Sequence, residues 1–150
     1  MQNKAGFTLI ELLSVLAISL IILAVLLNGF INYARYQTYQ ARVAEVVSTI
    51  VDAQAAAKVA AQDEHHGVYI TSNQITSYSG NAYIAGNSTN VDTVFAEVNL
   101  VPNLTGGVSE IRFNKVTALP SVVGTIDIVG TRYTATTTIT LTEAGVLYYE

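Results

Sequence analysis

GFTLIELLSVLAISLIILAVLL, residues 6–27, decides the architecture. From Phe7 to Leu27 the chain runs for 21 residues with one ionisable side chain, Glu11, and no proline. At about 1.5 Å of rise per residue this makes roughly 30 Å of helix, the thickness of a bilayer core. The flank MQNKAG is polar and carries one cation, Lys4, which places the N-terminus on the cytoplasmic side; Arg35 and Arg42 beyond the span weaken that asymmetry. A cleavable secretory signal would need a small-x-small site after the apolar run and no carboxylate inside it. No such site follows Leu27. A plain signal anchor accounts for everything except Glu11.

A carboxylate at the centre of a spanning helix costs on the order of 3 kcal/mol, and less close to the headgroups, where Glu11 lies. One reading is therefore a tolerated interfacial acid. The other gives it a cation. Cleavage between Gly6 and Phe7 would create an α-amino group with a pKa of about 8, charged at neutral pH. Four residues of helix, about 6 Å, separate that amine from Glu11 in one chain. A second copy displaced by one turn would bring its amine onto the carboxylate. In an apolar bundle such a pair fixes register, because a buried charge without its partner is strongly destabilising.

The segment KAGFTLIELLSVLAISLIILAVL resembles the class III signal of type IV prepilins and of the pseudopilins of type II secretion. The resemblance implies peptidase cleavage at Gly6-Phe7, N-methylation of Phe7, and a role for Glu11 in subunit recruitment and register, with Thr8, Leu9, Ile10, Leu12 and Leu13 completing the motif. The short leader is similar to the type IVa group. A structural subunit is implied, as a homopolymer or a copolymer with other pilins, without enzymatic activity or cofactor. Its partners would be the prepilin peptidase and methyltransferase, an inner-membrane platform with its motor ATPase, and the lipid bilayer before assembly. The motif serves pili, secretion pseudopili and competence filaments alike; a membrane-anchored periplasmic binding domain is a remoter alternative. One departure stands out. LLNGFINYARYQ, residues 26–37, has no proline where family members usually carry one, and Gly29 is the softer point there. The resemblance implies that such a lack is common among minor pilins and minor pseudopilins, which counts against a major subunit.

Beyond the span, Phe30, Tyr33, Tyr36 and Tyr39 recur at every third residue and read as an interfacial and packing row. Val43, Val46, Val47, Ile50, Val51, Gln54 and Ala57 form an amphipathic stripe, with Arg42 and Glu45 at i, i+3 on the solvated side. The divisions expected are a leader 1–6, a membrane and filament-core helix 7–27, its amphipathic continuation 28–62, and a head 63–150. His65 and His66 are placed in the last helical turn, with Gly67 as the stop. Adjacent histidines point about 100° apart, so no metal site is expected there. Residues 73–92, rich in Asn, Ser, Thr and Gly, read as a surface loop with one short strand near Ala82–Ala85.

Residues 93–150 read as antiparallel sheet: Val94 to Leu100 ending at Pro102, Ile111 and Phe113, GTIDIVG with Ile126 and Ile128 inward, and RYTATTTITLT with Tyr133, Ala135, Thr137, Ile139 and Leu141 on one face and Thr134, Thr136, Thr138, Thr140 and Thr142 on the other. The predicted fold class is α+β, with the sheet packed on the second half of the helix. Cysteine is absent, which excludes disulfides and thiolate metal sites. With 7 basic against 11 acidic residues, scattered, there is no basic patch for nucleic acid. No nucleophile triad or phosphate loop is present, and Asp92 and Asp127 read as solvated carboxylates rather than calcium ligands. Asn87-Ser88-Thr89 and Asn103-Leu104-Thr105 fit the glycosylation pattern, and turn chemistry explains both.

Overall fold

The computed structural model describes residues 8–149. Among these residues one α-helix, α1 (Leu9–Lys58), and a 3-10 turn at Ala61–Asp63 precede eight strands: β1 (His66–Thr71), β2 (Gln74–Ser79), β3 (Val91–Val94), β4 (Val98–Leu104), β5 (Glu110–Phe113), β6 (Gly124–Gly130), β7 (Thr136–Leu141) and β8 (Leu147–Tyr149). They form two four-stranded antiparallel sheets, ordered β3-β2-β1-β5 and β4-β6-β7-β8. The fold is α+β, as the sequence predicts, with two sheets in place of one. The chain divides into two compact units, Met1–Tyr36 and Gln37–Glu150.

In the second unit the core forms where the helical stripe meets both sheets. Tyr39, Val43, Val46, Ile50, Ala53 and Ala57 are buried, at alternating steps of four and three residues that keep one helix face inward. Val68, Ile70, Ile75, Ile111 and Phe113 meet them from the first sheet, and Val98, Leu100, Ile126, Ile128, Ile139 and Leu141 from the second. Val51, assigned to the stripe from the sequence, is exposed, and Gln54 uses its place to reach other loops. Its amide donates to Gly145 O at 2.9 Å and Ala118 O at 3.4 Å, tying the β7–β8 turn and the loop after β5 to the helix.

Four expectations are corrected. The helix ends at Lys58, short of the expected residue 62, because Ala60 turns left-handed (φ 49°) and Ala57 O accepts from both Ala60 N, 3.1 Å, and Val116 N, 2.9 Å. A distant loop supplies that cap, and nothing local in an alanine run announces it. His65 and His66 are consequently not helical. His66 opens β1, and Gly67 lies within it opposite Tyr78, whose ring crosses the space a side chain would fill. A Cβ at Gly67 would sit 2.5 Å from Ile111 O and 2.5 Å from the Tyr78 hydroxyl.

The expected loop 73–92 contains β2, the partner of β1 across a two-residue turn, and the start of β3; Ala82–Ala85 forms no strand. The polar composition of QITSYS hides a central strand. Finally, the run from Val94 to Leu100 is two strands of different sheets, broken at Phe95, which is buried and donates its N–H to Asn73 O at 2.7 Å. Pro102 lies inside β4 instead of ending it. Leu100 N turns away from β6 to reach Ser72 O at 2.7 Å, and Pro102, two residues on, shares that phase. Its missing N–H therefore faces off the ladder, the position an edge strand tolerates.

Candidate functional site

The first turn of α1 begins at Thr8. Leu12 N donates to Thr8 O at 3.2 Å and Glu11 N to Thr8 Oγ1 at 3.3 Å, so Thr8 is the N-cap and Glu11 stands at the third helical position. Thr8-x-x-Glu11 is thus half of a capping box, and the carboxylate also suits the positive end of the helix dipole. The Thr8-x-x-Glu11 spacing becomes recognisable as a cap once the start of the helix is known, and it adds a local role to the register role expected of Glu11. No described residue donates a hydrogen bond to the Glu11 carboxylate. Gly6 and Phe7, the expected cleavage and methylation positions, lie outside the described residues.

Downstream the helix is apolar and bare. Fourteen Leu, Ile and Val side chains between Leu9 and Leu27 are at least 52% exposed. Covering them would contribute on the order of 10–25 kcal/mol, too much to leave in water. α1 is long and apolar enough to cross a membrane. Its polar side chains return to its own backbone: Ser14 Oγ donates to Ile10 O at 2.8 Å, Ser19 Oγ to Val15 O at 2.8 Å, and Asn28 Nδ2 to Ala24 O at 3.0 Å. Such bonds keep polar groups satisfied where water is missing. The helix passes Gly29 without interruption, and a Cβ there would meet nothing.

The aromatic row does not stay on one side. Three-residue steps turn 60° backward each time, so the fourth member stands half a turn from the first. Phe30, Tyr33 and Tyr36 are 69%, 61% and 39% exposed, whereas Tyr39 is 3% exposed. The Tyr39 hydroxyl lies 3.0 Å from Ile128 O and 2.8 Å from Thr137 Oγ1, joining α1 to β6 and β7. Nearby, Arg42 bonds Glu45 at 2.8 Å and reaches Glu97 at 3.3 Å, and the bond to Glu45 is the largest influence raising its pKa.

The two histidines serve the fold. A carbonyl only accepts, so His66 Nε2, 2.9 Å from Ala61 O, carries the proton; its Nδ1 faces Ser79 Oγ at 3.1 Å. His65 Nδ1 accepts the N–H of Lys115 at 3.0 Å. Asp92 and Asp127 stand on different sheets and do not come together. Asp92 accepts from Thr76 at 2.7 Å, and Asp127 from Thr138 at 2.7 Å and Asn103 at 3.0 Å. Among the described residues no group of three His, Asp or Glu side chains is placed to hold a metal ion.

Over residues 1–27 the chain matches the family model described as the prokaryotic N-terminal methylation motif. This is the class III signal of type IV pilins and pseudopilins, and it marks a type IV pilin-like or pseudopilin precursor. Comparison with curated proteins and with solved structures found no match. The motif and the apolar first half of α1 fit anchoring in the inner membrane before assembly.

Proposed function

We propose that the chain is the precursor of a structural subunit of a type IV pilus-like filament. Prepilin peptidase cuts between Gly6 and Phe7, the new amine is methylated, and a platform with its motor ATPase draws the subunit from the inner membrane into a helical polymer. The observation that carries this reading is the methylation motif leading directly into a helix whose apolar side chains have no cover. Lipid covers them first, and the same segment of neighbouring copies afterwards. In the polymer the ammonium of Phe7 on one copy meets the Glu11 carboxylate of the next, and an unpaired Glu11 in that apolar surround would be strongly destabilising.

Three variants expressed in the native host test it. Gly6→Val leaves an uncut membrane protein. Glu11→Ala is cut at the same bond and fails to enter filaments, whereas Tyr33→Phe assembles as the parent does. Normal processing of Gly6→Val, or full filaments from Glu11→Ala, would overturn the reading. Mass spectrometry of sheared surface filaments separates the pilus from a pseudopilus of type II secretion, whose polymer stays in the periplasm.

A further inference from the structure

On its helix-facing side the first sheet is apolar at Val68 and Ile70 of β1 and at Ile111 and Phe113 of β5, and then changes character. Ser77 and Ser79 of β2 and Thr93 of β3 occupy inward positions in line with Ile75 and Val91. Across from them α1 presents Thr49 and Asp52. The two walls do not close: a cleft of about 360 Å³ lies between them, within the range of small-molecule sites.

We propose that this cleft binds a saccharide of one or two rings, uncharged or carrying an amine. Four features select that class. The hydroxyls of Ser77 and Thr93 are engaged by no other described residue, so they are free to exchange hydrogen bonds with a ligand's own hydroxyls. Asp52 accepts one bond, from Ser48 to its Oδ2 at 3.3 Å, and its other oxygen is open to a sugar hydroxyl or an ammonium. Among the described residues no Lys or Arg lines the cleft, and the Asp52 carboxylate repels phosphates and uronic acids. The methyl groups of Ala53 and Ala56 give the floor an apolar patch for the C–H face of a ring. The His66 ring, fixed between Ala61 O and Ser79, forms a rigid end wall. The site lies wholly in Gln37–Glu150 and does not depend on the filament reading.

The test uses the full chain in detergent micelles, with amide chemical shifts followed by NMR. The probes are N,N′-diacetylchitobiose, maltose and glucosamine, with glucuronic acid and inorganic phosphate as controls. At least one of the three sugars should shift the amides of Thr49, Ser77 and Thr93, and neither control should. Asp52→Ala, on an exposed helix position, should weaken that binding about tenfold, as loss of a charge-assisted hydrogen bond does. Ser77→Ala with Thr93→Val should weaken it at least as much while amides outside the cleft keep their positions. The proposal fails if none of the three sugars moves those amides. It fails equally if the controls move them as strongly, or if Asp52→Ala changes the affinity by less than about twofold.

Discussion

Replacing Tyr39 by Phe removes one oxygen and leaves the ring in place. That hydroxyl lies 3.0 Å from Ile128 O and 2.8 Å from Thr137 Oγ1, in a residue 3% exposed. A buried hydrogen bond contributes about 1 kcal/mol net, and an abandoned buried partner adds to the loss, so Tyr39→Phe should destabilise the second unit by about 1–2 kcal/mol. With a urea dependence of about 1–2 kcal/mol per molar, the unfolding midpoint falls by about 1 M. The chain has no Trp and nine Tyr, so tyrosine fluorescence in detergent micelles is the natural signal. Tyr33→Phe is the matched control: the same atom is lost from a residue 61% exposed, and the midpoint should move by less than about 0.5 kcal/mol equivalent. A cycle with Thr137→Val should show coupling of about 0.5–1.5 kcal/mol. Equal midpoints for Tyr39→Phe and Tyr33→Phe would refute the reasoning, because they would remove Tyr39 from the junction of helix and sheet.

Gly67→Ala places a methyl against Ile111 O and the Tyr78 hydroxyl, each 2.5 Å away, and should cost at least about 1–3 kcal/mol. Adding Tyr78→Phe should not restore the loss, since the carbonyl remains; thermal melts of the single and double variants decide. Burial above all, then the bond to Glu110, raises the pKa of Tyr78, so its folded value exceeds its unfolded value of about 10. Its contribution is complete below that value and fades as the pH climbs toward the folded pKa, and alkaline unfolding of Tyr78→Phe should lack this component. The hydrogen bond from Lys115 holds the exposed Asp63 carboxyl below its ordinary range. Its stabilising effect is therefore present above about pH 4 and is lost as acid protonates the folded form; in Lys115→Met the Asp63 midpoint, read by carbon NMR, should return upward.

How much of this was legible in the sequence depends on where each signal is stored. The core face of α1 from Val43 to Ala57 and the inward isoleucines of β6 and β7 are written as local periodicity, and they fold as they read. The helix end is written elsewhere, in the Val116 amide that caps Ala57 from a loop after β5. β2 was hidden because its pairing on both sides supports a strand that its serines and threonines do not advertise. Tyr39 parts from the other three aromatics because steps of three on a helix of 3.6 residues per turn carry the fourth member half a turn round, into the core. At the candidate site the motif was plain in the sequence, but the capping bond between Thr8 and Glu11 requires knowing where the helix starts. The hydroxyl-lined cleft required knowing which strands face α1.

The sheet borders have a consequence for life at high density. β4 carries Pro102 with its nitrogen turned outward, β3 and β8 are only four and three residues long, and the end of β5 is occupied by a bridge between Phe113 and Pro120. A strand from another molecule finds no long run of vacant amides to zip onto. Crowded copies are thereby steered away from amyloid-like stacking, and in the filament proposed above the growth of a fibre would be left to the apolar end of the molecule.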